Sequence, residues 1–139
     1  MGRLLGIDYG KVRIGVAVSD TTRLISRPLC TLEYKKDFID KLQKELKPLL
    51  PIDLVIIGLP LLMSGKDSPM TEEVRKFSEY LHQALRIPVK LWDERLTSLQ
   101  VEREMRDSGM KRKERASHSD TMAAALILQS YLDSQRMTV

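Results

Sequence analysis

Apolar residues fall into two kinds of period along this chain, and the switches between them mark its elements. Leu4 to Tyr9 and Arg13 to Val18 are compact aliphatic runs separated by Gly10, Lys11 and Val12, which predicts a hairpin with glycine supplying the turn. Leu24 to Thr31 predicts a third strand, antiparallel again and ended by charged residues. From Asp37 to Leu50 the period lengthens: Phe38, Ile39, Leu42, Leu46 and Leu49 recur at helical spacing, and Pro48 and Pro51 close the segment. "LVIIGLP", stopped by Gly58 and Pro60, is the continuous run of a parallel strand covered on both faces. After a loop with Ser64, Gly65 and Pro69, Thr71 and Glu73 to Leu85 predict a second helix through Val74, Phe77, Leu81 and Leu85, and Pro88 breaks it before the strand Val89 to Trp92. Leu96 to Met105 reads as helix ended by Gly109, "KRKER" as a basic loop, and Thr121 to Leu132 as an apolar last helix. Antiparallel strands first, then strands alternating with helices, describe an α/β mixed sheet with helices on both faces.

Composition changes this picture little. The chain has 139 residues, enough for one domain (residues 1–139) with a proper core, and 30% of them are charged. The net charge of +4 is consistent with a polyanionic partner without singling one out. No basic leader and no apolar run near the roughly 20 residues of a membrane span is present, so the expectation is a soluble cytoplasmic protein with no membrane partner. Cys30 stands alone, which leaves neither an internal disulfide nor a cysteine zinc cluster and reads as a small core residue.

The acids matter more. Asp8 interrupts an apolar run, and an ionised carboxylate is costly to bury without partners. Asp93, Glu94 and Asp120 also border apolar elements. Each has an ordinary explanation: Asp8 as a turn residue accepting local hydrogen bonds, Asp93 or Glu94 as a cap of the following helix, Asp120 as the N-cap of the last one. Taken together they suggest another. Carboxylates brought together repel unless cations neutralise them. All-oxygen donors suit Mg²⁺ or Mn²⁺, and two such ions about 4 Å apart activate water and stabilise the leaving oxygen of a phosphodiester. Spacing by itself leaves both explanations open.

"GIDYGKVRIGVAVSD", "LVIIGLP", "LWDERLT" and "SDTMAAALILQSYLD" closely resemble, in order and spacing, the YqgF (RuvX-like) family of RNase H-like proteins, described as Holliday junction resolvases and as pre-16S ribosomal RNA nucleases. The resemblance covers essentially the whole chain. It implies an RNase H-like fold and a hydrolase, an Mg²⁺- or Mn²⁺-dependent endonuclease acting on structured RNA or branched DNA. Its catalytic and metal-binding residues would be Asp8 in "GIDYG", Glu94 in "DER" and Asp120 in "SHSD". Neighbouring side chains on a strand point to opposite faces, so only one of Asp93 and Glu94 is expected at the metals. Glu94 is favoured as the last strand residue with the longer reach. The chain departs from the family after Gly-Leu-Pro, where Leu62 and Ser64 stand in place of the usual Asn and Asp. Val101 replaces a usual Ala.

Basic residues near these acids are candidates for substrate phosphate: Lys11, Arg13 and Arg95, and in the basic stretch Lys111, Arg112, Lys113 and Arg115. Solvated surface is the alternative for all of them. Tyr9, Trp92 and Tyr131 read as core or edge residues, His82 as helix surface, and His118 as a group two residues from Asp120. Two other functions remain open at this level: a non-catalytic RNA- or ribosome-associated binding module, and a relative of the actin-like ATPases, whose phosphate hairpin "IDYGKVRIGVAVSD" resembles. The second would need a further domain to clamp a nucleotide. A homodimer is compatible with the sequence and not indicated by it.

Overall fold

The computed structural model describes residues 2–97 and 112–136, the side chains of 112–119 excepted. Five strands form one sheet in the order β3-β2-β1-β4-β5: β1 Arg3–Asp8, β2 Arg13–Ser19, β3 Ser26–Glu33, β4 Ile52–Leu59 and β5 Val89–Asp93. The first three pair antiparallel, whereas β4 lies parallel to β1 and β5 parallel to β4. Helix α1 spans Phe38–Leu46 and continues into a 3-10 turn, α2 spans Thr71–Leu85, and α3 spans Arg112–Arg136.

Alternation along the strands sends two sets of side chains to opposite faces. On one face Leu5, Ile7, Ile14, Val16, Val55 and Ile57 are buried with Phe38, Leu42 and Leu46 of α1 and Val74, Phe77 and Leu81 of α2. On the other, Leu4, Ala17 and Ile56 are buried with Ala124, Ile127, Leu128 and Leu132 of α3. Helix α3 can approach closely because its contact side is rich in alanine and faces glycine. A Cβ on Gly6 would lie 2.7 Å from Leu128 Cβ and 2.9 Å from the Ala124 carbonyl. Tyr9 packs on Tyr34 and Phe77, and Trp92 meets Tyr131 edge to face, so these aromatics belong to the core and its margins.

Several expectations need correction. The third strand begins later than the apolar pattern suggests, at Ser26, because Leu24 and Ile25 are drawn into a turn by Asp20, whose carboxylate accepts from both their amides. The last helix starts by Arg112, so Arg112, Lys113 and Arg115 belong to α3 and not to a loop. Arginine and lysine are good helix formers, and no glycine or proline interrupts 112–136. Asp120 therefore lies well inside the helix and is not its N-cap. Of the expected helix Leu96 to Met105 only Leu96 and Thr97 are described: Glu94–Leu96 form a 3-10 turn that Thr97 closes, and 98–111, with Val101, Gly109 and Lys111, lie outside the described residues. Among the described residues no helix is long and apolar enough to cross a membrane. Burial pushes the Cys30 thiol up to about 11, which suits a packing residue and not a nucleophile.

Candidate active site

The carboxyl ends of β1, β4 and β5 lie side by side, the edge of an open α/β sheet where ligands characteristically bind. Asp8 is the last residue of β1 and half-buried. Its alternation with Leu4 and Gly6 puts it on the α3 face. It pairs with Gly15 of β2, and on its other side the parallel register, which ends at Ile7 and Ile57, leaves it next to Gly58.

Both glycines make room for an acid. A Cβ on Gly58 would fall 2.8 Å from Glu94 Oε1 and 2.6 Å from Ile127 Cδ1, so the Glu94 side chain lies over β4 on the α3 face. A Cβ on Gly15 would fall 2.1 Å from the Asp120 carbonyl oxygen and 3.1 Å from Asp120 Cβ, so α3 brings Asp120 directly above β2. Along one row the order is Asp120 over Gly15, then Asp8, then Gly58 under Glu94. Sequence reading treats Gly58 as a strand stop. Glycines at the same level of neighbouring apolar strands were the available signal for what it does instead.

Asp93, not Glu94, is the last residue of β5: the chain leaves the sheet there and Glu94 begins the following 3-10 turn, so the expectation that Glu94 ends the strand is corrected. Asp93 caps that turn: its carboxylate accepts from the Arg95 backbone amide at 2.9 Å and from the Arg95 guanidinium at 2.7 to 3.1 Å. The guanidinium holds the Asp93 carboxyl below its usual range. The Glu94 carbonyl accepts from Thr97 Oγ1 at 2.6 Å and from Thr97 N at 3.0 Å, which fixes the turn from its far side. If Glu94 is the acid that serves the site, Glu94→Gln loses cleavage about a hundredfold, whereas Asp93→Asn loses less than about tenfold. Turnover measured on both variants at saturating substrate checks this, and the reverse ranking rejects the preference.

Among the basic candidates, Arg13 Nε lies 3.3 Å from Asp120 Oδ2, and Lys11 Nζ lies 3.7 Å from Glu73 on α2. Both sit on the turn between β1 and β2 or at its edge, at the same end as Asp8. Arg95 is engaged by Asp93 and donates from Nη1 to the Met63 carbonyl at 3.0 Å. Lys111 lies outside the described residues, and for Arg112, Lys113, Arg115 and His118 only the helical backbone is described. His82 sits in the last turn of α2 with Nδ1 2.9 Å from the Ile87 carbonyl, away from the acids.

Three carboxylates offer only hard oxygen donors, which suits Mg²⁺ or Mn²⁺, and the glycine row is space that a Cβ would fill. As the side chains stand, no group of three His, Cys, Asp or Glu among the described residues is gathered closely enough to hold an ion. Shared ligation therefore requires side-chain rotation, with Asp120 turning from Arg13. Sequence reading missed the hydroxyls that fasten the loop after β4. Thr71 Oγ1, buried, donates to the Pro60 carbonyl at 2.5 Å and accepts from Ser68 N at 2.7 Å.

Known proteins resemble this chain in sequence and fold. The RuvX family, described as Holliday junction resolvase, matches residues 2–134. A protein of Protochlamydia amoebophila named "Putative pre-16S rRNA nuclease" is 43% identical over 141 residues, covering 96% of this chain and 94% of its own. One of the same name from Caldanaerobacter subterraneus subsp. tengcongensis is 43% identical over 137 residues, with coverage of 96% and 98%. Among solved structures, Thermus thermophilus RuvC in complex with a Holliday junction substrate superposes with a TM-score of 0.56 at 14% identity, over 98% of this chain and 97% of its own. The Fowlpox virus resolvase with Holliday junction DNA superposes with a TM-score of 0.53 at 13% identity, over 96% and 98%. At those identities the two structures speak for the fold, which is the RNase H-like one expected.

Proposed function

Because this chain belongs to the RuvX Holliday junction resolvase family, we propose that it is a divalent-metal-dependent endonuclease that hydrolyses phosphodiester bonds in structured nucleic acid, with the 5′ end of pre-16S ribosomal RNA as its main substrate and four-way DNA junctions as a second. The observation that carries this reading is the row Asp120, Asp8, Glu94 on one face of the sheet at the carboxyl ends of its strands. Asp120 stands over a glycine, Glu94 over another, and Asp8 ends a strand.

In this reading Asp8, Glu94 and Asp120 are the ligands of Mg²⁺ or Mn²⁺. Such ions, when bound, supply the Lewis acid that activates water and stabilises the leaving oxygen. Asp8, central in the row, would hold such an ion together with a flanking acid. Arg13 balances the charge of Asp120 while the ligands are apart and is near enough to take a substrate phosphate when Asp120 turns inward. Lys11, at the tip of the same turn, is exposed and adds a second phosphate contact. Curated relatives named for pre-16S rRNA, at higher identity than either junction-binding structure, support RNA as the main substrate. The cytoplasm, where ribosomes mature, is the matching compartment.

The test is incubation of the purified protein with Mg²⁺ or Mn²⁺ and a panel of pre-16S 5′-end RNA, other structured RNA, four-way junction DNA and duplex DNA. Cleavage that EDTA stops, strongest on the pre-16S RNA, is the expected result. The Arg13 to Asp120 ion pair favours one competitor, a binding module that never cleaves, because it neutralises one of the three acids. That reading gains if RNA binds and no metal produces a cut.

A separate expectation concerns the basic stretch. Arg112 to Arg115 precede Asp120 by five to eight residues of helix, about 8 to 12 Å along the axis. Replacing Lys111, Arg112, Lys113 and Arg115 together by Ala should weaken binding and lower the slope of log affinity against log salt by about 2 to 4, with cleavage at saturating substrate retained. Affinity titrations at several salt concentrations check it, and an unchanged slope assigns these residues to solvated surface.

A further inference from the structure

Arg95 was a candidate for substrate phosphate, yet each of its three guanidinium nitrogens already donates within the protein. Nε and Nη2 meet the Asp93 carboxylate at 2.7 to 3.1 Å, and Nη1 donates to the Met63 carbonyl at 3.0 Å. The guanidinium also lies against Gly65, where a Cβ would stand 3.4 Å from Nη1 and 3.6 Å from Nη2; that glycine has a φ of +88°. We infer that Arg95 is a positioning residue, which clamps the loop between β4 and α2 onto the end of β5 and so fixes the turn that carries Glu94.

The loop is built to be held in this way. Leu61 bridges Asp67, Leu62 N donates to the Lys66 carbonyl at 2.9 Å, and Gly65 N donates to the Leu62 carbonyl at 2.8 Å. On its α2 side Asp67 receives both terminal nitrogens of Arg75 at 2.8 and 3.1 Å. On its β5 side it is held by Arg95. Loss of that clamp removes a fastening from a loop whose Leu62 and Met63 side chains are exposed. Arg95 grips a backbone carbonyl, so the clamp works whatever side chains the loop carries. This accommodates Leu62 and Ser64 in place of the family's Asn and Asp. Lysine cannot replace it, because a single ammonium does not span a carboxylate and a carbonyl on two segments with a planar fork.

The effect of the clamp on cleavage rests on the nuclease reading; the clamp itself does not. Amide hydrogen exchange is to be followed by NMR in the wild-type chain and in Arg95→Lys, Arg95→Ala and Asp93→Asn, together with kcat, KM and the salt dependence of binding to pre-16S RNA. In all three variants exchange at the Leu62 and Gly65 amides should rise about fivefold or more while β4 keeps its protection. The value of kcat should fall by up to about tenfold, and the salt slope should stay as in wild type. The inference is overturned if those two amides are already unprotected in wild type or exchange no faster in Arg95→Lys. It is equally overturned if Arg95→Ala lowers the salt slope by about 1 with loop exchange unchanged, since that is the behaviour of a phosphate contact. Faster loop exchange in the variants of a chain that cuts none of the substrates supports the clamp and removes the nuclease reading.

Discussion

Asp8→Asn should lower metal-dependent cleavage about a thousandfold, equivalent to about 4 kcal/mol of barrier, and leave the fold standing. Asparagine is nearly isosteric with aspartate, so the packing around β1 is preserved. What disappears is a negative charge at the middle of the row, on the strand that lies between the glycines under the other two acids. The measurement is turnover in Mg²⁺ and in Mn²⁺, paired with thermal unfolding. Wild-type turnover at a wild-type melting temperature rejects the catalytic role of Asp8. A large drop in melting temperature instead identifies Asp8 as a turn-forming residue whose carboxylate holds backbone at the end of β1.

Gly15→Ala should produce the largest loss of stability of any single methyl group added to the sheet. The new Cβ would lie 2.1 Å from the Asp120 carbonyl oxygen, which belongs to the backbone of α3 and cannot swing aside as a side chain does. The helix must lift from β2, and overpacking of this kind costs about 3 kcal/mol. For a chain of this size that lowers the melting temperature by about 10 °C. Gly58→Ala is the informative partner. Its Cβ meets the ends of two flexible side chains, Ile127 and Glu94, so the loss of stability should be smaller while Glu94 is displaced. Thermal unfolding of the two variants gives the ranking. Equal melting temperatures would mean that α3 does not sit on β2 as closely as described.

The row of glycines also explains why so much of the site depends on a helix far along the chain. Asp8 and Gly15 come from one hairpin, Gly58 from the parallel strand β4, Glu94 from the turn that follows β5, and Asp120 from α3. Their meeting requires the sheet order β3-β2-β1-β4-β5, in which the first strand occupies the centre. The same order buries β1 on both faces, which is why Leu4, Leu5 and Ile7 are all inaccessible.

By itself the sequence determined most of the described elements and their type, the basic run taken for a loop being the exception. The continuous apolar runs of β1, β2 and β4 and the helical spacing of Val74, Phe77 and Leu81 are local patterns, set by which side chains must leave water, and the strands and helices follow them closely. It also carried, through its motifs, the family and the three acids proposed for the site. Only the tertiary structure decided where side chains point and what they touch. That Arg95 holds Asp93 and a loop carbonyl 32 residues earlier in the chain cannot be read from "DER", since a surface arginine and a clamping one have the same local sequence. That Asp120 stands inside a helix and not at its start depended on the helical propensity of residues the basic run had suggested were loop. Periodicity constrains each segment separately. Contacts between distant segments are fixed by packing, where a missing Cβ at Gly15 or Gly58 determines how near a carboxylate can come.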